Sequence, residues 1–114
     1  MSQSSEFDDV LQRLARLIGT RHQDATGTSY TKELLDAGVE RCARKLGEES
    51  IETIIAALGG DKQALKREAA DLFYHLLVLL ESRGVALQDV LAELQARMGT
   101  SGLAEKAARR GTSS

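Results

Sequence analysis

The 114-residue chain has no proline, no tryptophan, one cysteine and only four aromatic residues, two Tyr and two Phe. Without proline, no helix is broken by a missing backbone N–H. The lone Cys42 cannot close an internal disulfide, so the chain is not one of the small disulfide-held scaffolds of oxidising compartments. Long apolar runs are missing too. The stretch Leu72–Leu80 is too short, and too interrupted, to span a bilayer. Excess charge of one sign is also lacking, since 15 basic and 17 acidic residues leave a net charge of −2. That balance argues against a nucleic-acid binder living on phosphate contacts. Met1–Asp9 is polar and acidic, unlike a signal peptide, and the expected location is the cytoplasm. What is abundant is Ala, Leu, Glu, Lys and Arg, a composition that favours helices throughout.

Ser4 or Ser5 can cap a first helix from about Glu6 to Ile18, with Phe7, Val10, Leu11, Leu14, Leu17 and Ile18 on one stripe. The polar stretch Gly19–Thr28 reads as a loop. Ser29 then caps a short helix through Leu34, Leu35 and Ala37, which Gly38 stops. A third helix runs from about Val39 to Leu58, and its interior Gly47 costs roughly 1 kcal/mol relative to Ala. A close approach by another backbone or a ligand would explain that glycine. The fourth helix starts on Asp61 as N-cap and ends near Arg83-Gly84; the fifth spans about Leu87 to Met98. Beyond Gly99 the chain is small, polar and basic, with a short turn expected at Leu103–Ala108. The expected fold is one all-α domain over residues 1–110, with a disordered tail at 111–114. It is a small bundle of four to five helices around a central helical hairpin. Because Leu72–Leu80 is apolar nearly all round, a second subunit is expected to help cover it, giving a homodimer with the fourth helices near the interface.

The chemistry lies in the acids on either side of the Gly59-Gly60-Asp61 turn. Glu52 lies seven residues before Gly59, and Glu68 lies seven after Asp61; Glu49 and Asp71 lie ten before and ten after. In an antiparallel hairpin these pairs come level, and within each helix positions three apart share a face. Four carboxylates on one patch repel unless a cation sits among them, and hard oxygen donors suit Mg²⁺ before all others. The competing interpretation is a solvated acidic face, in which Lys45 pairs with Glu49 at i,i+4. Scattered surface acids have no reason to be symmetric about a turn, and Ile51, Ala69 and Leu72 set apolar neighbours beside these ones. Glu48 falls beside Glu52 on a helical wheel and is open to three roles: ligand, outer group or base. Di-iron bundles rely on Glu-x-x-His pairs, which are absent here. His75 reads as a satisfied, partly buried histidine and Cys42 as a small core residue. No phosphate-binding Gly-x-x-x-x-Gly-Lys loop exists. Were the ligand a polyphosphate, its recognition would fall to side chains: Lys45, Arg13 or Arg16, Arg21, Lys106 and Arg109.

Glu-Glu-x-x-Glu followed by Glu-x-x-Asp resembles the signature of the all-α NTP pyrophosphohydrolases, the MazG-like superfamily. Several further segments narrow the resemblance to the phosphoribosyl-ATP pyrophosphatase branch. They are Ser29-Tyr30-Thr31, Lys45-Leu46-Gly47-Glu48-Glu49, the run from Glu68 through Tyr74-His75 to Leu80, and Ser101–Ala107. The likeness covers about Phe7 to Arg109. It implies that Glu49, Glu52, Glu68 and Asp71 hold Mg²⁺ and that Glu48, Glu49 and Glu52 form the catalytic set. Lys45 would meet polyphosphate oxygens, and Ser29, Tyr30 and Thr31 would lie near the substrate. The chain departs from the family pattern at Glu33, where a lysine is common, with Lys32 preceding it. The implied reaction is hydrolysis of phosphoribosyl-ATP to phosphoribosyl-AMP and pyrophosphate, the second step of histidine biosynthesis. Many relatives are fused to a cyclohydrolase, whereas this short chain resembles the free-standing form. The alternative is a house-cleaning pyrophosphatase for non-standard deoxynucleoside triphosphates, which would share the metal site. A non-enzymatic helical interaction module would leave the paired acids unexplained.

Overall fold

The computed structural model describes residues 9–99 as five helices with no strand among them. They are α1 (Val10–Gln23), α2 (Tyr30–Ala37), α3 (Val39–Gly59), α4 (Lys62–Ser82) and α5 (Leu87–Gly99). The expected start of the first helix, the turn at Leu103–Ala108, Lys106, Arg109 and the tail all lie outside the described residues.

Local chemistry accounts for most of the boundaries. The Ser29 hydroxyl accepts from the Lys32 N–H at 3.1 Å, capping α2 as expected. Asp61 Oδ1 accepts from the N–H groups of Gln63 and Ala64, capping α4. Gly60, with φ of 82°, ends α3 in the left-handed conformation that glycine adopts without penalty. One boundary differs. The first helix was expected to stop at Ile18, yet α1 continues through Gly19 to Gln23. The cause is tertiary. A Cβ at Gly19 would stand 3.7 Å from Glu81 Oε1, so the end of α4 packs closely there. His22 Nδ1 pairs with Glu81 Oε2 at 2.7 Å and secures the last turn. Those contacts outweigh the roughly 1 kcal/mol that a helical glycine costs.

The α3–α4 pair forms the most extensive contact, an antiparallel hairpin against which α1 and α2 pack at one end. The core sits at that end: Ile18, Leu34, Leu35, Cys42, Leu77 and Val78, flanked by Leu11, Leu14, Tyr74 and Leu80. Cys42 is the small core residue expected, its thiol donating to the Leu34 carbonyl at 3.3 Å. Much of the apolar run Leu72–Leu80 is therefore covered inside one chain, leaving Phe73 and Leu76 exposed. The part of α3 toward the hairpin tip is not covered. Ile51, Ile54, Ile55 and Leu58, spaced along one helical face, are 58–84 % exposed. The carboxylates lie between these two ends.

Candidate active site

The capped turn at Gly60-Asp61 sets the register of α3 against α4, and three of the four acids counted outward from it come together. One carboxylate oxygen each from Glu49, Glu68 and Asp71 lie within 4.8 Å of one another. Negative charges at that separation repel. Glu49 bears most of the cost. Its side chain is 12 % exposed, and its Oε2 is buried with no hydrogen-bond partner among the described residues. Burial first, then the charges of Glu52, Asp71 and Glu68, raise its carboxyl above the usual range, against a smaller pull from Lys45. A buried carboxylate oxygen with no donor is unfavourable until a proton or a cation meets it. The trio contains oxygen donors only, which suits a hard divalent ion such as Mg²⁺.

The remaining acids take different places. Glu52 is exposed and stands outside the trio, although of the neighbouring charges it raises Glu49 most. Glu48 is paired with Lys45, Nζ to Oε1 at 3.1 Å, one residue away from the Lys45–Glu49 pairing that spacing suggested. The bond to Glu48, followed by Tyr30, raises the Lys45 pKa and holds its positive charge beside the acids.

His75 is buried, as expected, but not satisfied. Its Nε2 lies 3.9 Å from Glu49 Oε1, and its Nδ1 has no hydrogen-bond partner among the described residues. The ring edges of Tyr74 and Tyr30 enclose it, with centroids 4.9 and 6.3 Å away. Burial, and secondarily the Lys45 charge, lower its pKa and favour the neutral imidazole. Thr31 hydrogen-bonds the Tyr74 hydroxyl, so the Ser29-Tyr30-Thr31 segment is fastened to α4 one turn beyond Asp71. Within that segment Ser29 is engaged as a cap, Tyr30 is 47 % exposed, and Lys32 pairs with Asp36 at 3.2 Å. The Tyr74–Thr31 contact has no signal in the sequence, and the one hint of the His75–Glu49 approach is the placing of His75 four residues after Asp71.

Arg16 is placed elsewhere. It lines a hollow of about 220 Å³ with Leu77, Glu81 and Val85. Glu81 stands ten residues past Asp71 on α4, roughly 15 Å along the helix. Arg13 and Arg21 are exposed on α1.

The profile of the phosphoribosyl-ATP pyrophosphohydrolase family matches residues 11–98. A phosphoribosyl-ATP pyrophosphatase of Azorhizobium caulinodans is 51 % identical over 105 residues, covering 92 % of this chain and 96 % of that protein. One from Methylobacterium radiotolerans is 53 % identical over 101 residues, covering 89 % and 94 %. Another, from Agrobacterium fabrum, is 52 % identical over 99 residues, covering 87 % and 92 %. The matched span carries all three clustered carboxylates together with Lys45, Glu48, Glu52 and His75, and the chain belongs to the phosphoribosyl-ATP pyrophosphohydrolase family.

Proposed function

We propose that the protein hydrolyses phosphoribosyl-ATP to phosphoribosyl-AMP and pyrophosphate with Mg²⁺, the second step of histidine biosynthesis. The observation that carries this reading is the Glu49–Glu68–Asp71 trio with its unpartnered, buried Glu49 oxygen. The names of the relatives supply the substrate.

Glu49, Glu68 and Asp71 would hold the ion, with Glu52 at their edge as a fourth oxygen donor. When bound, Mg²⁺ neutralises the polyphosphate and lowers the pKa of water. Glu48 and Glu52 are the neighbouring carboxylates outside the trio, and either can take a proton from the attacking water. Lys45 presents a fixed positive charge to phosphate oxygens one turn from Glu49. Ser29 holds the start of α2, and the adjoining Tyr30 and Thr31 set an exposed ring over His75 as a substrate contact. Turnover of phosphoribosyl-ATP, measured against a panel of non-standard deoxynucleoside triphosphates, tests this assignment. Pyrophosphate should appear first, and only with a divalent ion. Orthophosphate as the first product, or faster turnover of the deoxynucleotides, would overturn it.

The protein acts as a homodimer in this reading. The support is the apolar face of Ile51, Ile54, Ile55 and Leu58, together with exposed Phe73 and Leu76. Burying such side chains against a second copy contributes about 1.5–3 kcal/mol each. A charge at Ile55 should dissociate the pair, whereas a charge at Leu77, inside the core, should unfold the chain. Light scattering that shows a well-folded monomer at micromolar concentration would remove the dimer.

A further inference from the structure

Thr53 sits inside α3, four residues after Glu49, and its hydroxyl does two things at once. It donates to the Glu49 carbonyl at 2.7 Å, the ordinary back-bond of a helical threonine. It also lies 3.2 Å from the carbonyl of Glu68, on the opposite helix. Ser50, three residues earlier, makes only the first kind of bond, to Leu46 within α3 at 2.9 Å. A single hydroxyl proton shared between two carbonyls is a three-centre bond. Here both carbonyls belong to residues whose side chains meet in the carboxylate trio.

We propose that Thr53 is a positioning residue for the metal centre. By bridging the backbones of Glu49 and Glu68 it fixes how far α3 stands from α4 and how the two slide past each other. The side chains of α3 and α4 cannot hold oxygens within 4.8 Å of one another if that register drifts. Repulsion among the acids pushes the helices apart, and the Thr53 bridge opposes it at the level where the repulsion acts. The hydroxyl touches neither substrate nor ion; it acts through the two ligands. This inference rests on the Mg²⁺ site proposed above.

Calorimetric titration of the folded, substrate-free protein with Mg²⁺ separates the two ideas. Thr53→Val keeps the shape and removes the hydroxyl, and Thr53→Ala does so with a good helix former should the valine variant fold poorly. Either should weaken Mg²⁺ binding roughly 10- to 100-fold, as loss of groups that orient metal ligands does. Thr53→Ser, which restores the hydroxyl, should bind as the parent does. Ser50→Ala, losing a hydrogen bond confined to one helix, should also bind as the parent. If Thr53→Ala binds Mg²⁺ as tightly as the parent, or if Ser50→Ala weakens binding equally, Thr53 has no positioning role. If the parent itself binds no Mg²⁺, the metal-site reading fails and this inference falls with it.

Discussion

The chain has two histidines, and each stands beside a glutamate in a different condition. His22 and Glu81 meet at 2.7 Å with side chains about a third exposed. They close a contact between the ends of α1 and α4, and water can solvate what they leave over. His75 and Glu49 stand 3.9 Å apart with side chains 7 % and 12 % exposed, and each keeps a buried polar atom without a partner among the described residues. The same two residue types thus make a fastener in one place and an unfinished site in the other. What differs is the separation, the burial and the company of further acids. Native proteins rarely leave buried polar atoms unpaired, so the unfinished pair is the one that points to a ligand.

The largest break in this comparison is Glu49→Gln. Turnover should fall by more than about 100-fold, the upper end of what altering groups around a metal ligand costs. The metal-free protein should become more stable, because a repelled buried charge is gone. If the variant melts lower than the parent without metal, Glu49 is an ordinary salt-bridging acid.

Mg²⁺ itself should sharpen the contrast. At 100 times its Kd it stabilises the folded state by about 2.7 kcal/mol. For a domain of this size that is a rise in Tm of roughly 10 °C. Calorimetric melts should show this rise for the parent and most of it lost in Glu68→Gln; equal rises would remove Glu68 from the ligand set.

Acidity gives a smaller and signed effect. The folded-state pKa of Glu49 is raised above the ordinary 4.5. Above that value the folded, metal-free protein holds more protons than the unfolded chain, so its stability falls as pH climbs through the window. The advantage of Glu49→Gln should therefore be slight near about pH 4 and grow until the raised pKa is passed. An advantage that is the same at every pH would mean the carboxyl is not raised.

The smallest effect belongs to the other pair. His22→Ala breaks a partly exposed contact worth about 0.2–1 kcal/mol. It should lower Tm by a few degrees and leave Mg²⁺ affinity untouched in the same titration. A large loss of affinity would show that the α1–α4 fastener governs the site.

The hairpin and three of its acids were legible because they depend on local rules. Asp61 and Gly60 fix the turn, and equal counts outward from a turn give equal depth. Glu52 shows where counting stops. It has the right depth, yet it stands outside the trio, because depth does not set the angle at which a side chain leaves its helix. α1 runs past Ile18 although Gly19 and the polar residues after it look like a loop, because Glu81, far away in sequence, packs against that turn. Thr53 and the orphaned atoms of Glu49 and His75 were invisible for the same reason: each is defined by what lies across the helix pair. A Cβ at Gly47 would meet nothing within 4 Å among the described residues, so no close approach there accounts for the glycine.

All three clustered acids lie between residues 49 and 71, inside one hairpin. Contacts so close in sequence close early in folding, because little chain entropy is lost in making them. The core contains local contacts such as Cys42 to Leu34, but completing it also brings Ile18 to Val78. A hairpin that closed first would gather the repelling carboxylates before the hydrophobic core could hold them, raising the barrier to folding. Mg²⁺ should then quicken refolding, not merely slow unfolding. Stopped-flow refolding with and without the ion decides it; an effect confined to the unfolding rate would place assembly of the site after the barrier.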